Sequence, residues 1–393
     1  MKALCWAGIN EVAVEEVPDP TILNRQDAIV RVTASSVCGS DLHLLDGYVP
    51  TMMAGDVIGH EFLGEVAEVG PDVRERRVGE RVTVCSIIGC GRCRYCRSQM
   101  WSLCDNTNPD PGFLEALNGH ATAGIFGYSH AMGGFAGSHA EYVRVPYADV
   151  NAFPVPDAVP DAGAVFASDA VPTGWMGADM GGVGPGDVVA VWGCGGVGQM
   201  AAKAAYLMGA ERVIAIDRFP ERLAMAAGRV GAEPLNYEET DVLEALKEAT
   251  GGRGPDVCIE AVGMESHGTG GQYAYDRVKQ ALRLQTDRGL SLRQAIQACR
   301  KGGTVAVLGV FLGFVDKFPM GALMNKGLTL RSGQQHGHRY IPMILDRMAK
   351  GEIDASFLLT HPMPLEEGAK GYELFKHKLD GCVRAVFQPA RTT

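Results

Sequence analysis

Val188–Asp217 reads VVAVWGCGGVGQMAAKAAYLMGAERVIAID. An apolar run, Val188–Trp192, leads into a glycine turn, then a helical stretch, then a second apolar run ending in Asp217. Strand, turn, helix and strand in that order open a doubly wound parallel sheet. The turn, Gly193-Cys194-Gly195-Gly196-Val197-Gly198, is a G-x-G-x-x-G. Gly193 permits the tight turn, Gly195 lets a pyrophosphate approach the backbone, and Gly198 lets the helix pack against the strand. The amides of Gly196 and Val197, at the helix start, face the phosphates. Asp217 follows Gly198 by 19 residues, where a carboxylate accepts hydrogen bonds from both ribose hydroxyls. A lone G-x-G-x-x-G is only a glycine-rich turn of some α/β protein. Strand before, helix after and acid at this distance make it a dinucleotide site.

The same rhythm continues downstream. VVAVWG, RVIAID, PLNY, DVCIEAVG, GGTVAVLGV and LTLRSG read as strands with helices between them, a Rossmann-type domain over 171–335. Upstream, GVGPGD (Gly182–Asp187) is the turn that feeds its first strand. The rhythm breaks at about 264–300. GMESHGTGGQYAY is glycine-rich, while DRVKQALRLQT and SLRQAIQACR are helix-like, so this is an insertion on the cofactor side of the sheet. Proline-rich PVPDAVPDAGAVFASDAVPTG marks the junction, ending at Asp169 before a helix through Trp175–Met180. Residues 1 to 150 alternate short apolar runs with Gly/Pro/Asp turns: MKALCWA, EVAVEEV, DAIVRVTASSV, EFLGEVAEVG, ERVTVCSII. They predict a compact β-barrel. The C-terminal part reads helix–strand–helix–strand and returns to complete that first domain, giving 1–170 plus 336–393.

A chain of 393 residues has room for two cores. Its net charge of −10 argues against nucleic acid and anionic membranes as partners. The first residues lack a signal-peptide core and no apolar run is long enough to span a bilayer, so a cytoplasmic enzyme is expected. Eleven cysteines without an export signal read as metal ligands plus free thiols.

Four of those thiols, Cys90, Cys93, Cys96 and Cys104, share one loop at about 89–105 with spacing x2, x2 and x7. Four thiolates close a tetrahedral zinc site with no open position, which is the structural kind. Arg92, Arg94 and Arg97 offset part of the site's negative charge. An iron–sulfur cluster or redox switch is the rival at this motif. Cys38-Gly-Ser-Asp-Leu-His43 and Gly59-His60-Glu61 lie upstream. A single Cys or His in a β domain is ordinarily a core or satisfied group. Together Cys38 and His60 are a candidate zinc pair. The loop 105–140 carries His120, His130 and His139, read as surface groups or lining of a substrate pocket, and a short helix near Phe113–Leu117. Ile87, Ile88, Phe113, Leu114 and Phe126 are core or pocket residues.

These pieces together resemble the zinc-containing medium-chain alcohol dehydrogenases: CGSDLH, GHEFLGEVAEVG, the four-cysteine lobe, AEYVRVP, PTGW, GVGPGD, GCGGVG with AID, and the closing CVRAVF. The resemblance implies a GroES-like β-barrel catalytic domain beside the Rossmann sheet, two Zn2+ per chain and NAD. It implies that Cys38 and His60 ligate a catalytic zinc and that Glu61 stands behind it. Ser40 would receive the substrate proton, and His43 would end the relay. Asp217 would bind ribose, with Arg222 and Arg384 near the cofactor ribose and phosphates. Most of the family has a cysteine as third ligand; this chain has Asp169, which looks like the branch of glutathione-independent formaldehyde dehydrogenases and dismutases. Glu61 and Glu141 are the substitutes should Asp169 not ligate.

The expected reaction is hydride transfer between a primary or secondary alcohol, or an aldehyde, and NAD. NAD is preferred over NADP because Asp217 repels a 2′-phosphate, although Arg218 beside it can pair with one. The alternatives are an NAD-retaining formaldehyde dehydrogenase or dismutase, a polyol-type dehydrogenase, a zinc-free reductase of the same fold, and a non-catalytic redox sensor. The family resemblance also implies a homodimer or homotetramer assembled through the cofactor domain.

Overall fold

The computed structural model describes residues 1–268, 271–281 and 287–389. Part of the helix-like DRVKQALRLQT lies outside the described residues. The chain divides into two units: Met1–Pro172 with Gln335–Thr393, and Thr173–Gln334.

In the first unit, strands form where β-branched and apolar residues alternate or run together. Among the described residues they make a seven-stranded sheet. Its order is Ala152–Pro154, Arg81–Val84, Glu61–Val69, Ala28–Ser36, Ala385–Gln388 and His361–Pro364, with Tyr142–Val145 also pairing Ala28–Ser36. The sheet curls around a core of Val30, Val32, Phe62, Val66, Val84, Ile88, Phe126 and Val143. Ile88 and Phe126 are therefore core residues and not pocket lining, while Phe113 is 43% exposed on the helix Gly112–Asn118. A smaller sheet, Glu11–Glu16, Lys2–Gly8 and Asp56–Val57, flanks the large one. The C-terminal helix–strand–helix–strand is present as Gly337–Ala349, His361–Pro364, Gly368–His377 and Ala385–Gln388. Antiparallel pairing of Val386 with Ser36 and Phe387 with Ser35 adds it to the barrel.

Register in this sheet has a chemical consequence. Ser36 pairs with Glu61 and Ser35 with Phe62. The chain leaving Ser36 therefore runs beside the chain entering Glu61, and Cys38 meets His60 although 22 positions separate them.

In the second unit, all six expected strands form one parallel sheet in the order Glu233–Asn236, Arg212–Asp217, Val188–Trp192, Val257–Glu260, Thr304–Val307, Thr329–Ser332. Apart from their first residues Val188 and Arg212, the central strands are buried, as parallel strands covered on both faces must be. Trp192 pairs with Glu260 at the carboxyl ends of their strands. The glycine turn and the insertion thus leave the same edge of the sheet, the edge where open α/β sheets bind ligands.

The insertion is pinned there. Met264 N donates to Val310 O at 2.8 Å, and Asp287 accepts from Leu312 N and Gly313 N at 3.2 and 2.7 Å. Arg293, 2% exposed, reaches Asp276 at 2.7 Å and the Asp316 carbonyl at 2.8 Å. The helices Gly271–Ala281 and Leu290–Ala298 are held together by that buried pair.

Candidate metal centres and dinucleotide turn

The four-cysteine lobe is assembled. The ligand atoms of Cys90, Cys93, Cys96 and Cys104 all lie within 4.8 Å of one another, and among the described residues theirs is the one group of three or more candidate ligands to do so. Cys90 and Cys96 sulfurs stand 4.0 Å apart, and Cys93 and Cys104 sulfurs 3.9 Å. Two thiolates about 2.3 Å from a tetrahedral zinc would stand ~3.8 Å apart. Backbone amides of Arg92 and Cys93 point at Cys90 Sγ, that of Cys96 at Cys93 Sγ, and those of Cys90 and Asn106 at Cys104 Sγ, at 3.4–3.5 Å. Asn106 Nδ2 adds a donor to Cys90 at 3.3 Å. Such N–H···S bonds spread thiolate charge. The donor set fits a structural zinc.

The lobe is wired to the barrel by Asn151. Its side chain accepts from Gly89 N at 2.8 Å and donates to the carbonyls of Gly89 and Pro146. His338 Nε2 lies 2.7 Å from Asn151 Oδ1, and the His338 ring stacks on Trp101 of the lobe at 5.2 Å.

The second candidate centre starts at the helix Gly39–Leu45. Cys38 is its N-cap residue, and Asp41, at the third helical position, accepts the Cys38 amide at 2.8 Å. Ser40 and His43, three apart, lie on one side of this helix. Ser40 Oγ is 3.2 Å from His60 Nε2, and His43 is 4% exposed. His60 Nε2 also lies 3.7 Å from Asp169 Oδ2. A nitrogen and an oxygen ligand on one tetrahedral zinc would be ~3.4 Å apart. Cys38 faces both His60 and Arg384. His60 thus stands beside both Cys38 and Asp169, in a looser arrangement than that of the four cysteines.

Glu61 explains how Asp169 arrives there. Its Oε1 accepts the amide of Ala170 at 2.9 Å, which ties the residue after His60 to the residue after Asp169. Its other oxygen lies 3.6 Å from Arg384 Nη1. Burial lifts the Glu61 carboxyl to about 7, against the pull of Arg384 and with a further push from Asp169. Arg384, 2% exposed, also donates to Val37 O at 2.7 Å. Within its own unit Arg384 is thus a counter-charge behind Cys38 and Glu61. Glu141 accepts the Lys2 amide at 2.7 Å, away from His60.

One member of the site escaped the sequence reading. Asp41 Oδ1 stands 3.0 Å from His60 Nδ1, and Asp41 is 1% exposed. A carboxylate on one ring nitrogen keeps the proton there and leaves the other nitrogen's lone pair for a metal. Burial alone would raise the Asp41 carboxyl; His60, His139 and the Cys38 amide outweigh it and hold it low. Burial likewise opposes a charge on His60, yet Asp41 and Cys38 push its pKa well up. The surroundings therefore draw a positive charge to this ring, and the donor set of thiolate, imidazole and carboxylate fits a zinc with one position open.

In the second unit the turn has the geometry its glycines predict. Gly193 has φ +89, and a Cβ there would come within 2.9 Å of Ala261 O. At Gly198 a Cβ would sit 1.7 Å from Gly193 O, so strand and helix could not close. At Gly195 a Cβ would meet only Arg222 Nη1, at 3.7 Å. The backbone there is open to a ligand with a guanidinium poised over it. The helix Gly196–Leu207 begins with Gly195 as N-cap and no side-chain cap, leaving first-turn amides such as those of Gly196 and Val197 for phosphate. Asp217 accepts Cys194 N and Arg218 N, each at 2.7 Å, which locks the acid against the turn. A carboxylate has about four acceptor sites, so capacity for ribose remains. Arg218 pairs with Glu238 at 3.2 Å and covers the Phe219 ring at 4.7 Å. The residues present fit a dinucleotide.

Comparison with known proteins points the same way. Residues 24–157 match the alcohol dehydrogenase GroES-like domain family, and residues 196–269 the zinc-binding dehydrogenase family. The uncharacterized zinc-type alcohol dehydrogenase-like protein AdhB of Bacillus subtilis (strain 168) is 40% identical over 392 residues, 99% of this chain and 100% of that protein. The alcohol dehydrogenase TADH from Thermus sp. ATN1 superposes with a TM-score of 0.83 at 35% identity, covering 99% of this chain and 100% of that one. A glutathione-independent formaldehyde dehydrogenase of Pseudomonas aeruginosa (strain LESB58) is 36% identical over 280 residues, 68% of this chain and 67% of its own length. With its barrel, its parallel sheet and its metal-ligand pattern, the chain belongs to the zinc-containing medium-chain alcohol dehydrogenase family.

Proposed function

We propose that this protein is a zinc-dependent dehydrogenase that exchanges a hydride between a primary or secondary alcohol, or an aldehyde in reverse, and NAD. The observation that carries the reading is His60, held by Asp41 on Nδ1 and facing Asp169 and Ser40 from Nε2. Bound to Cys38, His60 and Asp169 and to the glycine turn, zinc and NAD supply Lewis acidity and a hydride acceptor. The chain supplies the rest. Ser40 Oγ, beside the ligand nitrogen, holds the hydroxyl proton of the substrate, and His43, on the same helix, passes it on. Glu61 fixes Asp169 through the Ala170 amide, and Arg384 balances the negative charge behind Cys38. Arg222 pairs with phosphate above Gly195 and Asp217 takes the ribose hydroxyls. Arg218 is already matched by Glu238, so the carboxylate of Asp217 decides for NAD over NADP.

A second reading has its own support. Asp169 in place of a cysteine and the formaldehyde dehydrogenase relative favour an enzyme that oxidises, or disproportionates, formaldehyde. The sheet edge Thr329–Ser332, exposed along its length beside Met320 and Met324, suits pairing with a second copy.

An alcohol and aldehyde panel with NAD and NADP, followed by absorbance of reduced cofactor, tests both readings. Turnover of alcohols with NAD, and an Asp217→Ser variant that gains NADP use, is the expected result. Formaldehyde turnover without added NAD, by protein that carries NAD through gel filtration, would select the second reading. No turnover with any member removes both.

A further inference from the structure

His139 lies 98 positions after Asp41, in the loop leading to the strand Tyr142–Val145, and is fully buried. Three backbone bonds hold it. Its amide donates to Ile58 O at 2.9 Å, its carbonyl accepts Leu4 N at 2.7 Å, and its neighbour Ser138 donates to Gly59 O at 2.9 Å. The ring stands edge-on to Phe387 at 4.9 Å and to Tyr372 at 5.8 Å. It also fills the space over Gly59, where a Cβ would come 2.4 Å from His139 Nδ1. The residue before His60 has to be glycine partly because this ring is there.

The polar atoms form a directed series. Ser138 Oγ is 2.8 Å from Ser35 Oγ, and Ser35 Oγ is 2.8 Å from His139 Nδ1. His139 Nε2 is 4.0 Å from Asp41 Oδ2, and Asp41 Oδ1 is 3.0 Å from His60 Nδ1. Ser35, Ser138, His139 and Asp41 are each at most 1% exposed. If Ser35 donates to Nδ1, the proton of a neutral imidazole sits on Nε2 and points at the carboxylate. Neutrality is what burial enforces, because it lowers the His139 pKa to about 4. Asp41 Oδ2 accepts the Cys38 amide, and Oδ1 faces His60 Nδ1. His139 Nε2, 4.0 Å from Oδ2 and without a hydrogen bond of its own among the described residues, faces the same carboxylate across a gap longer than a hydrogen bond.

Resting on the reading of Cys38, His60 and Asp169 as a zinc site, we propose that His139 is a positioning residue for His60. Its Nε2–H, oriented by Ser35 and buried 4.0 Å from the Asp41 carboxylate, acts on that carboxylate as a nearby dipole and keeps it turned toward His60, so that the His60 Nε2 lone pair is presented to the metal. His139 touches neither substrate nor cofactor and acts through Asp41. Partners one layer behind metal-ligating histidines typically govern 10–100-fold in metal affinity or activity.

The test compares His139→Gln, which keeps a donor at the far end of the side chain, with His139→Phe, which keeps an aromatic ring against Phe387 and has no donor. Full-length proteins are purified with zinc, counted for metal and challenged with a chromophoric chelator. Wild type should hold two zincs. His139→Phe should release one of them at least about tenfold faster, with the other unchanged and the circular dichroism spectrum intact. His139→Gln should stay within about threefold of wild type and should recover most of the kcat lost in His139→Phe. Equal loss in both variants, or none in either, overturns the inference while leaving the zinc site standing. A wild type with a single zinc overturns the underlying reading and the inference with it. If His139→Phe does not fold, Ser35→Ala replaces it, since it frees the tautomer without removing the ring. Faster release of one zinc supports the inference, and wild-type release overturns it.

Discussion

At the scale of single residues the centre is defined by which atoms Asp169 meets. The chain reaches this position through the turn between the short helix Val165–Ser168 and the helix Ala170–Gly181, and its carboxylate lies 3.7 Å from His60 Nε2. As a ligand in the proposed zinc site, a carboxylate in place of a thiolate would keep the formal charge of the set and would be the poorer electron donor. Asp169→Ala should lower zinc from two per chain to one, because the four-cysteine lobe does not depend on it, and should abolish turnover. Atomic absorption on the purified variant checks this, and two zincs retained would remove Asp169 from the ligand set. Glu61 would then be the substitute, since Glu141 is held at the Lys2 amide. Much of this arrangement was legible in the sequence because Cys38, His60 and Asp169, the candidate ligands, sit in short motifs. Asp41 was not, although it lies inside CGSDLH: an acid at the third position of a helix reads as a cap, which it also is. His139 was legible only as a histidine in a long loop. Its place follows from the pairing of Ala28–Ser36 with Glu61–Val69 and with Tyr142–Val145, a tertiary fact that local sequence does not carry.

At the scale of elements, strands and helices followed from periodicity and glycine placement, and all six strands of the parallel sheet stand where their apolar runs predicted. The long loop 105–140 differed. Gly124–Ile125 pairs with Ile87–Ile88 in a two-stranded sheet of its own, and Phe126 sinks into the barrel core, so the apparent loop is partly ordered packing against that core. Two-residue strands have no period to read. The attachment of the four-cysteine lobe was equally hidden, because it joins Asn151 to His338 across 187 positions. That attachment carries a pH dependence. Burial, with His336 adding to it, lowers the His338 pKa to about 3, below the ordinary value near 6.5. The unfolded chain therefore binds a proton from about pH 6.5 downward while the native chain does not, and stability falls as pH falls through that window. The loss should approach ~1.4 kcal/mol per pH unit. His338→Gln removes this titration and keeps a donor for Asn151. Urea unfolding in zinc-containing buffer at about pH 7.5 and about pH 5.5 should show a smaller acid loss in the variant than in wild type. Equal losses would mean that His338 is not kept neutral by the fold.

At the scale of the whole molecule, the parallel sheet ends in a strand that, among the described residues, pairs on one side only. Thr329–Ser332 pairs with Thr304–Val307 on one side, and all four of its residues are exposed. Unpaired N–H and C=O groups along a strand are a template for another strand, and natural proteins blunt such edges with charge, proline or a bulge. This edge has Arg331 but otherwise offers Leu330, 37% exposed, with Met320 and Met324, 56% and 67% exposed, on the helix just before it. Exposed apolar groups gathered at an open strand edge are what a two-fold partner of the same sequence would cover, because a two-fold axis lets one edge pair with itself. Wild type should therefore run in light scattering as a multiple of 41.8 kDa. Leu330→Asp combined with Met324→Asp should shift it to a single chain by placing like charges across the axis. The variant should keep its zinc, since both substitutions lie in the unit that carries the glycine turn and both metal sites lie in the other. A wild type that elutes as one chain, or a doubly substituted protein of unchanged mass, would show that this edge is covered by something other than a second copy.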